Sequence, residues 1–293
     1  MKPNPFELLT PTTIEAALQY MQEYGDRARI IAGGQSLVPM MNFRLAAPEF
    51  LIDISRIAEL RREEWQPDGA LLVGAMTTHR YFERSARVAQ NLPLLADAVL
   101  SIAHVQIRNR GTIGGSLAHS DPAAEWPALC IACDATMLIT GPAGSREVAA
   151  DDFNLGTFAS ALEADEMLTA IRFPAWPSSR GWGFQEISRR LGDFALAGTA
   201  CVVDFDPSGQ CKTARIALFG VEDRPILASA VNDSLIGQRL NDAVIRQAAA
   251  LAADTVEPRS DMHASAEYRR DLVNVLVRRA LTQAATTRQP EAA

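Results

Sequence analysis

Two double-glycine turns, Ala32-Gly33-Gly34-Gln35-Ser36 and Thr112-Ile113-Gly114-Gly115-Ser116, constrain this chain more than any other feature of it. A glycine pair lets the backbone enter φ > 0 and lets an anion come close, so that successive amide N–H groups form a concave nest for phosphate oxygens. Serine and threonine hydroxyls at both turns add donors. The turns lie about eighty residues apart, a layout suited to a ligand with two adjacent phosphates gripped by a loop from each of two subdomains. A dinucleotide fits that description. The commoner nucleotide motifs are missing: Lys2 and Lys212 are the only lysines, so no G-x-x-x-x-G-K-[ST] loop exists, and no G-x-G-x-x-G opens a helix. One double glycine alone reads as a plain turn; the pair with matching hydroxyls carries the nucleotide reading.

Hydrophobic periodicity places the turns within α/β units. Ile14, Ala17, Leu18 and Met21 recur at helical spacing and Gly25 follows as a stop, so residues 13–24 read as an amphipathic helix. Arg29 to Ala32 and Leu51 to Ile54 read as strands, with a short methionine-rich helix from Leu37 to Leu45 between them. A strand at Leu71 to Gly74, helices near Thr78 to Ser85 and Asn91 to Ile102, and a turn-rich stretch from Asn109 to Ser116 come next. Asp121 as a cap and Pro122 at the first helical position predict a helix through Glu125 to Cys133. Strands follow at Thr136 to Ile139 and Glu166 to Phe173, and then Phe173-Pro174-Ala175-Trp176-Pro177-Ser178-Ser179 is the clearest linker. Three strands beyond it, Trp182 to Ser188, Leu196 to Phe205 and Ala214 to Phe219, precede helices at Ile226 to Leu235, Asp242 to Ala253 and Tyr268 to Ala284. Strands followed by helices are the α+β pattern of a separate C-terminal domain.

Composition narrows the function classes. The 293 residues, 48% hydrophobic, have room for two domains. A net charge of −7 gives no general field for a nucleic-acid backbone or an anionic membrane. No stretch approaches the ~18 apolar residues of a membrane span. Two prolines near the start, Pro3 and Pro5, stand where a signal peptide needs an apolar run, and four scattered cysteines do not make a disulfide framework, so a cytoplasmic protein is expected. Four cysteines without iron–sulfur spacing also place any cluster in another chain.

Three runs, Ile31 to Met41, Arg108 to Glu125 and Ser188 to Ala197, resemble the FAD-binding medium subunit of the molybdenum hydroxylases, the carbon monoxide dehydrogenase and xanthine dehydrogenase family. The resemblance covers nearly the whole chain. It implies an α+β protein with an FAD-binding domain of the PCMH or vanillyl-alcohol-oxidase type at 1–176, made of subdomains at about 1–56 and 57–176. A C-terminal domain of the CO dehydrogenase flavoprotein type, an antiparallel three-stranded sheet plus helices, would occupy 177–293. It further implies non-covalent FAD, with Ile31, Ala32, Gly33, Gly34, Gln35, Ser36 and Leu37 and then Thr112, Ile113, Gly114, Gly115 and Ser116 around the pyrophosphate. Glu125 falls where the family has an acidic residue contacting the flavin nucleotide, Leu168 where a leucine lays its backbone against the ring, and Phe194 where some members place a tyrosine. The implied partners are a large molybdenum-cofactor subunit and a small [2Fe-2S] subunit, in a heterotrimer or a dimer of heterotrimers. The implied role is electron transfer to an external acceptor.

One stretch departs from the resemblance. Several members have a lysine in the strand before the Arg189-Arg190 pair, near the flavin's pyrimidine end, whereas this chain reads Phe184-Gln185-Glu186-Ile187. A missing cation there changes the flavin's potential. Other features have plainer explanations. Cys130 and Cys133 sit among apolar neighbours as core residues, His119, Asp121 and Glu125 need no metal, and His104 takes a packing role. Arg108 and Arg110 either screen phosphates or serve a solvated face or subunit contact. Two other functions stay open at this point: a free-standing FAD oxidase or dehydrogenase, and a nucleotide-binding scaffold without redox chemistry.

Overall fold

The computed structural model describes residues 2–287. The chain opens with β1 (Glu7–Leu9), α1 (Ile14–Tyr24), β2 (Ala28–Ile31), α2 (Leu37–Asn42) and β3 (Phe50–Asp53). The three strands form a parallel sheet in the order β1-β3-β2. Thr13 caps α1 through its hydroxyl, which accepts from Ala16 N at 3.2 Å. β1 was not legible in the sequence, because Glu7-Leu8-Leu9 is too short to show a period and lies exposed at the sheet edge.

A five-stranded antiparallel sheet follows, built from β4 (Glu63–Trp65), β5 (Leu71–Gly74), β6 (Thr136–Gly141), β7 (Gly144–Ala149) and β10 (Met167–Phe173) in the order β4-β5-β10-β6-β7. Between β5 and β6 run α3 (His79–Arg84), α4 (Ala86–Asn91), α5 (Pro93–Ala98), α6 (Val105–Arg108), α7 (Ile113–His119) and α8 (Glu125–Ala132). After β7 come α9 (Ala150–Phe153) and the small hairpin β8 (Asn154–Gly156) and β9 (Ala159–Ser160).

Three sequence expectations are corrected here. The helix expected from Asn91 to Ile102 is two helices, because Leu92, just before Pro93, takes φ −142°, ψ 59° and cannot continue α4. The stretch ending at Ser116, read as turn, becomes α7 from Ile113 onward. Asp121 does not cap a helix: its Oδ1 accepts from Ala123 N at 2.9 Å in a local turn, Ser120 is left-handed (φ 52°, ψ 47°), and α8 starts only at Glu125. The Ser120 hydroxyl holds this detour by donating to Asn154 Oδ1 and the Ala159 carbonyl, both at 2.9 Å.

The last sheet comprises β11 (Arg180–Ser188), β12 (Ala195–Phe205), β13 (Cys211–Phe219) and β14 (Ile226–Leu227), all antiparallel. The chain ends with α10 (Ser229–Leu235), α11 (Asp242–Thr255) and α12 (Ala266–Thr287). The expected three strands thus gain a two-residue edge strand where Ile226 and Leu227 were read as helix, since those residues pair with Leu218 and Ala217.

β12 is buried almost throughout because it has two covered faces. Ala200 and Val202 join one core with the helices around α8, while Cys201 and Val203 join another with α11 and α12. The period of two along a strand sorts its side chains in this way. The same alternation on β11 sends Trp182 and Phe184 toward the α8 side and Ile187 toward the other.

Candidate nucleotide site

The first glycine turn leaves β2 at Ile31, and Gly34 takes φ +72°, a conformation glycine enters without strain. Gln35 Nε2 donates to the Gly33 carbonyl at 2.9 Å and holds the turn's shape. Among the described residues, the amides of Gly33, Gly34, Gln35, Ser36 and Leu37 have no acceptor, and Val38 N, bound to Gly34 O at 3.1 Å, is the first to be engaged. Five successive unengaged N–H groups are thus available to an anion.

The second turn is built differently from the sequence expectation of a matching nest. Ile113 N donates to Thr77 O at 3.0 Å, Gly114 N to Ala75 O at 2.9 Å, Gly115 N to the Thr112 hydroxyl at 3.1 Å and Ser116 N to Thr112 O at 3.0 Å. Those four amides are engaged inside the chain; the amide of the buried Thr112 and the Ser116 hydroxyl have no partner among the described residues. Gly114 serves packing: a Cβ there would overlap the Cβ and carbonyl of Ala75. Sequence cannot separate a glycine that admits an anion from one that admits another backbone.

The fold brings the two turns together. A Cβ on Gly33 would overlap the carbonyl oxygen of Arg110, and one on Gly115 would lie 3.6 Å from Ala32 Cβ. Behind this junction His79 N donates to Gly111 O at 3.0 Å, and His79 Nδ1 accepts from Trp126 Nε1 at 2.9 Å. Burial, with the Arg108 guanidinium adding to it, pushes the His79 imidazole down to about 3, so it stays neutral. Arg108 is only 11% exposed; it pairs with Glu83 at 2.9 Å and donates to the carbonyls of Ile102 and Ala103. Its role is to brace the loop rather than to screen phosphate.

Glu125 begins α8 and is buried, and burial, reinforced by Asp121, raises its carboxyl to about 7. Leu168 is buried on β10, one residue before a bulge at Thr169. The Thr169 carbonyl accepts from Ala75 N at 2.9 Å, and Ala75 O accepts from Gly114 N, so Leu168 is tied through one residue to the second turn. Phe194 is exposed on the loop after β11, where Gly192, at φ +86°, packs against the His104 ring. Cys130 and Cys133 face the core, and burial pushes the Cys133 thiol up to about 12, so neither is poised as a thiolate. Among the described residues no group of three or more His, Cys, Asp and Glu is arranged for a metal ion.

Residues 4–176 match the family described as "FAD binding domain in molybdopterin dehydrogenase", and residues 182–284 match "CO dehydrogenase flavoprotein C-terminal domain". The chain belongs to this flavoprotein family. It is 40% identical to the carbon monoxide dehydrogenase medium chain of Hydrogenophaga pseudoflava, across 97% of this chain and 98% of that one. It is 38% identical to the 6-hydroxypseudooxynicotine dehydrogenase complex subunit alpha of Paenarthrobacter nicotinovorans, across 99% and 98%. The solved carbon monoxide dehydrogenase of Hydrogenophaga pseudoflava superimposes with a TM-score of 0.96 at 39% identity, covering 99% of this chain and all of that one.

The flavoprotein's residues fit the cofactor of the family. Five unengaged amides suit a pyrophosphate, and a buried acid and a buried strand lie along the path from the second turn. In the sequence Glu186 stood out only as the absence of a lysine. Its Oε2 is buried without any hydrogen-bond partner among the described residues.

Proposed function

We propose that this chain is the FAD-carrying electron-transfer subunit of a molybdenum hydroxylase. It holds FAD non-covalently, receives electrons from [2Fe-2S] clusters in a small partner chain and passes them to an external acceptor. A large molybdenum-cofactor chain oxidises the substrate. Bound FAD supplies the ability to exchange electrons singly or in pairs. The observation that carries this reading is the row of unengaged amides from Gly33 to Leu37, clasped against the second turn in a chain of this family.

The chain's own residues then have distinct tasks. The amides of Gly33 to Leu37 bind the pyrophosphate, with Ile31 and Ala32 leading into the turn; the Thr112 amide and the Ser116 hydroxyl approach from the other side. Ile113 and Gly114 tie the start of α7 to Thr77 and Ala75, and Gly115 bonds the capping Thr112 hydroxyl. Glu125 meets the flavin nucleotide, and Leu168 presents its backbone to the ring. We place the FAD domain at 1–176, with subdomains at about 1–56 and 57–176, and the C-terminal domain at 177–293. The working assembly is a cytoplasmic heterotrimer or a dimer of heterotrimers. No helix among the described residues is long and apolar enough to cross a membrane.

Relatives of comparable identity are named for substrates as unlike as carbon monoxide and 6-hydroxypseudooxynicotine. That supports substrate choice by another chain. The test is to produce the full chain with the large and small chains encoded beside it and assay flavin, iron and molybdenum. Stoichiometric FAD on this chain and metals on the other two are expected. A complex that neither contains nor takes up FAD would overturn the reading, as would a lone chain that oxidises a substrate without molybdenum or iron.

A further inference from the structure

The ladder between β12 and β13 ends at the pair Gly198 and Phe219, and Gly220 follows with φ +74°, outside the strand conformation. The carbonyls at this end of the sheet are gathered by Arg269, a residue of α12. Its Nη1 donates to the Leu196 carbonyl and, at 2.7 Å, to that of Gly220, while Nη2 pairs with Asp261 Oδ2 at 2.6 Å. Arg269 is only 6% exposed, and its Nε is buried without a partner among the described residues. Burying a guanidinium offsets much of the attraction it gains from a partner, so such a group is a poor source of stability. Its rigid fork, holding two carbonyls at once, is suited to fixing geometry.

What Arg269 holds reaches into the FAD-binding domain. Gly220 N donates to the Pro122 carbonyl at 2.8 Å. Further along the same loop, the Asp223 carbonyl accepts from the Thr157 hydroxyl at 3.1 Å, and Arg224 Nη1 donates to the Leu155 carbonyl at 3.3 Å. Leu155 and Thr157 lie in the hairpin of β8 and β9, whose Phe158 N donates to the Ser120 carbonyl at 2.9 Å. The Ser120 hydroxyl bonds back to the hairpin at Asn154 and Ala159. Residues 120–122, the hairpin and residues 220–224 thus close a ring of hydrogen bonds across both domains. Ser120 N in turn donates to the carbonyls of Ser116 at 3.2 Å and Leu117 at 3.1 Å. The ring therefore grips α7 about one helical turn from the Ser116 hydroxyl of the second glycine turn.

We propose that Arg269 is a positioning residue for FAD: acting from the C-terminal domain through Gly220, Pro122 and Ser120, it holds α7 where the Ser116 hydroxyl meets the cofactor's phosphates. The proposal rests on the reading that FAD binds at the two glycine turns. α7 has only seven residues, and its start is tied to Thr77 and Ala75 through the amides of Ile113 and Gly114. Its end depends on Ser120, a left-handed residue held by the ring. A hydroxyl donates along one direction, so a displacement of α7 by about 1 Å is enough to lose its bond to a phosphate. Without the guanidinium, the Gly220 carbonyl loses the donor that fixes it, and the ring opens at the bond from Gly220 to Pro122. The C-terminal domain thereby governs FAD retention through α7, with no contact of its own to the phosphates.

The experiment is a double-mutant cycle on the full-length apoprotein, with FAD affinity read by flavin fluorescence and stability by thermal melting. Ser116→Ala, Arg269→Met and the two combined are compared with the wild type, and Arg269→Lys and Thr157→Val are measured beside them. Arg269→Met should weaken FAD binding roughly tenfold, the worth of one hydrogen bond to a charged group, and should weaken it no further once Ser116→Ala is present. Arg269→Lys keeps the charge beside Asp261 but not the fork, so it should recover part of the affinity. Thr157→Val cuts the ring at an exposed bond and should lose affinity several-fold, again only while Ser116 keeps its hydroxyl; it tests the ring even where Arg269→Met fails to fold. Variants that melt earlier but bind FAD as tightly as the wild type would overturn the proposal, as would losses that simply add to that of Ser116→Ala. Undiminished binding by Ser116→Ala would overturn it too, while leaving the amides of Gly33 to Leu37 as the phosphate site. No FAD binding by the wild type would overturn the reading beneath it.

Discussion

The indole N–H of Trp126 donates to His79 Nδ1 at 2.9 Å, directly behind the loop that carries the second glycine turn. This bond fixes the imidazole as the Nε2–H tautomer, and the two rings stack at 6.0 Å between centroids. Gly111 makes room for the ring, since a Cβ there would come within 2.7 Å of His79 Nε2. The loop is therefore set by a buried aromatic pair rather than by its own sequence.

Protonation of His79 should destabilise the protein in acid. Its folded value is lowered to about 3 from 6.5, so between those values the unfolded chain binds a proton that the folded chain refuses. The stability is complete above about pH 6.5 and is lost as pH falls, at about 1.4 kcal/mol per unit for this group. Urea denaturation of His79→Gln between about pH 4 and about pH 7 should show a shallower slope than the wild type. Equal slopes would mean that His79 titrates normally.

Gly33→Ala and Gly114→Ala should fail in different ways. A Cβ at residue 33 strikes the Arg110 carbonyl across the junction of the two turns, and the subdomain contact can yield by opening. FAD retention should fall at least tenfold with little change in melting temperature. A Cβ at residue 114 strikes Ala75, the residue bonded to both Gly114 and Thr169, inside the main core. That overpacking should cost about 1–3 kcal/mol of stability. Melting curves and flavin occupancy, measured on both variants, distinguish the two lesions.

Arg215 couples the C-terminal sheet to the FAD domain. Its Nε donates to the Ile131 carbonyl at 2.8 Å, and its guanidinium pairs with Asp151 and Asp134. Arg215→Met keeps the stem but leaves the carbonyl without this donor, which should cost about 1–3 kcal/mol. The loss should appear as earlier proteolysis near the 174–179 linker, with the two fragments otherwise resistant. Unchanged proteolysis would show that the apolar contacts of Phe184 and Phe219 hold the domains without it.

The long helices and the three C-terminal strands were legible because each buries a periodic face: Ala17 and Leu18 on α1, Leu272, Val273, Leu276 and Val277 on α12. The glycine turns were legible as sharp turns from their glycine pairs, and the fold does bring them together. What escaped was set by distant partners. Asp121 and Pro122 carry a correct local signal for a helix start, yet Ser120, pinned to Asn154 and Ala159, turns the chain first. Gly114 looked like an anion ligand because Ala75 is 39 residues away in sequence. Glu186 drew notice only for the lysine it replaces, since the burial of its Oε2 is set by the fold around β11 and not by its neighbours in sequence.

Glu186→Lys gives the last prediction. A lysine there puts a positive charge where the raised carboxyl of Glu186 feels the charge of Glu125. Glu186 is raised to about 8 first by burial and then by Glu125, and the substitution removes that carboxyl from the titration altogether. In the wild type the raised carboxyls stabilise the fold only while protonated, so stability declines as pH rises through their folded values. In Glu186→Lys the share of that decline that belongs to Glu186, spread between about pH 4.5 and about pH 8, should vanish, at about 1.4 kcal/mol per pKa unit removed. Thermal melts of the two proteins across this range decide the matter. A variant that declines as steeply as the wild type over that range would mean that the Glu186 carboxyl is not raised in the fold.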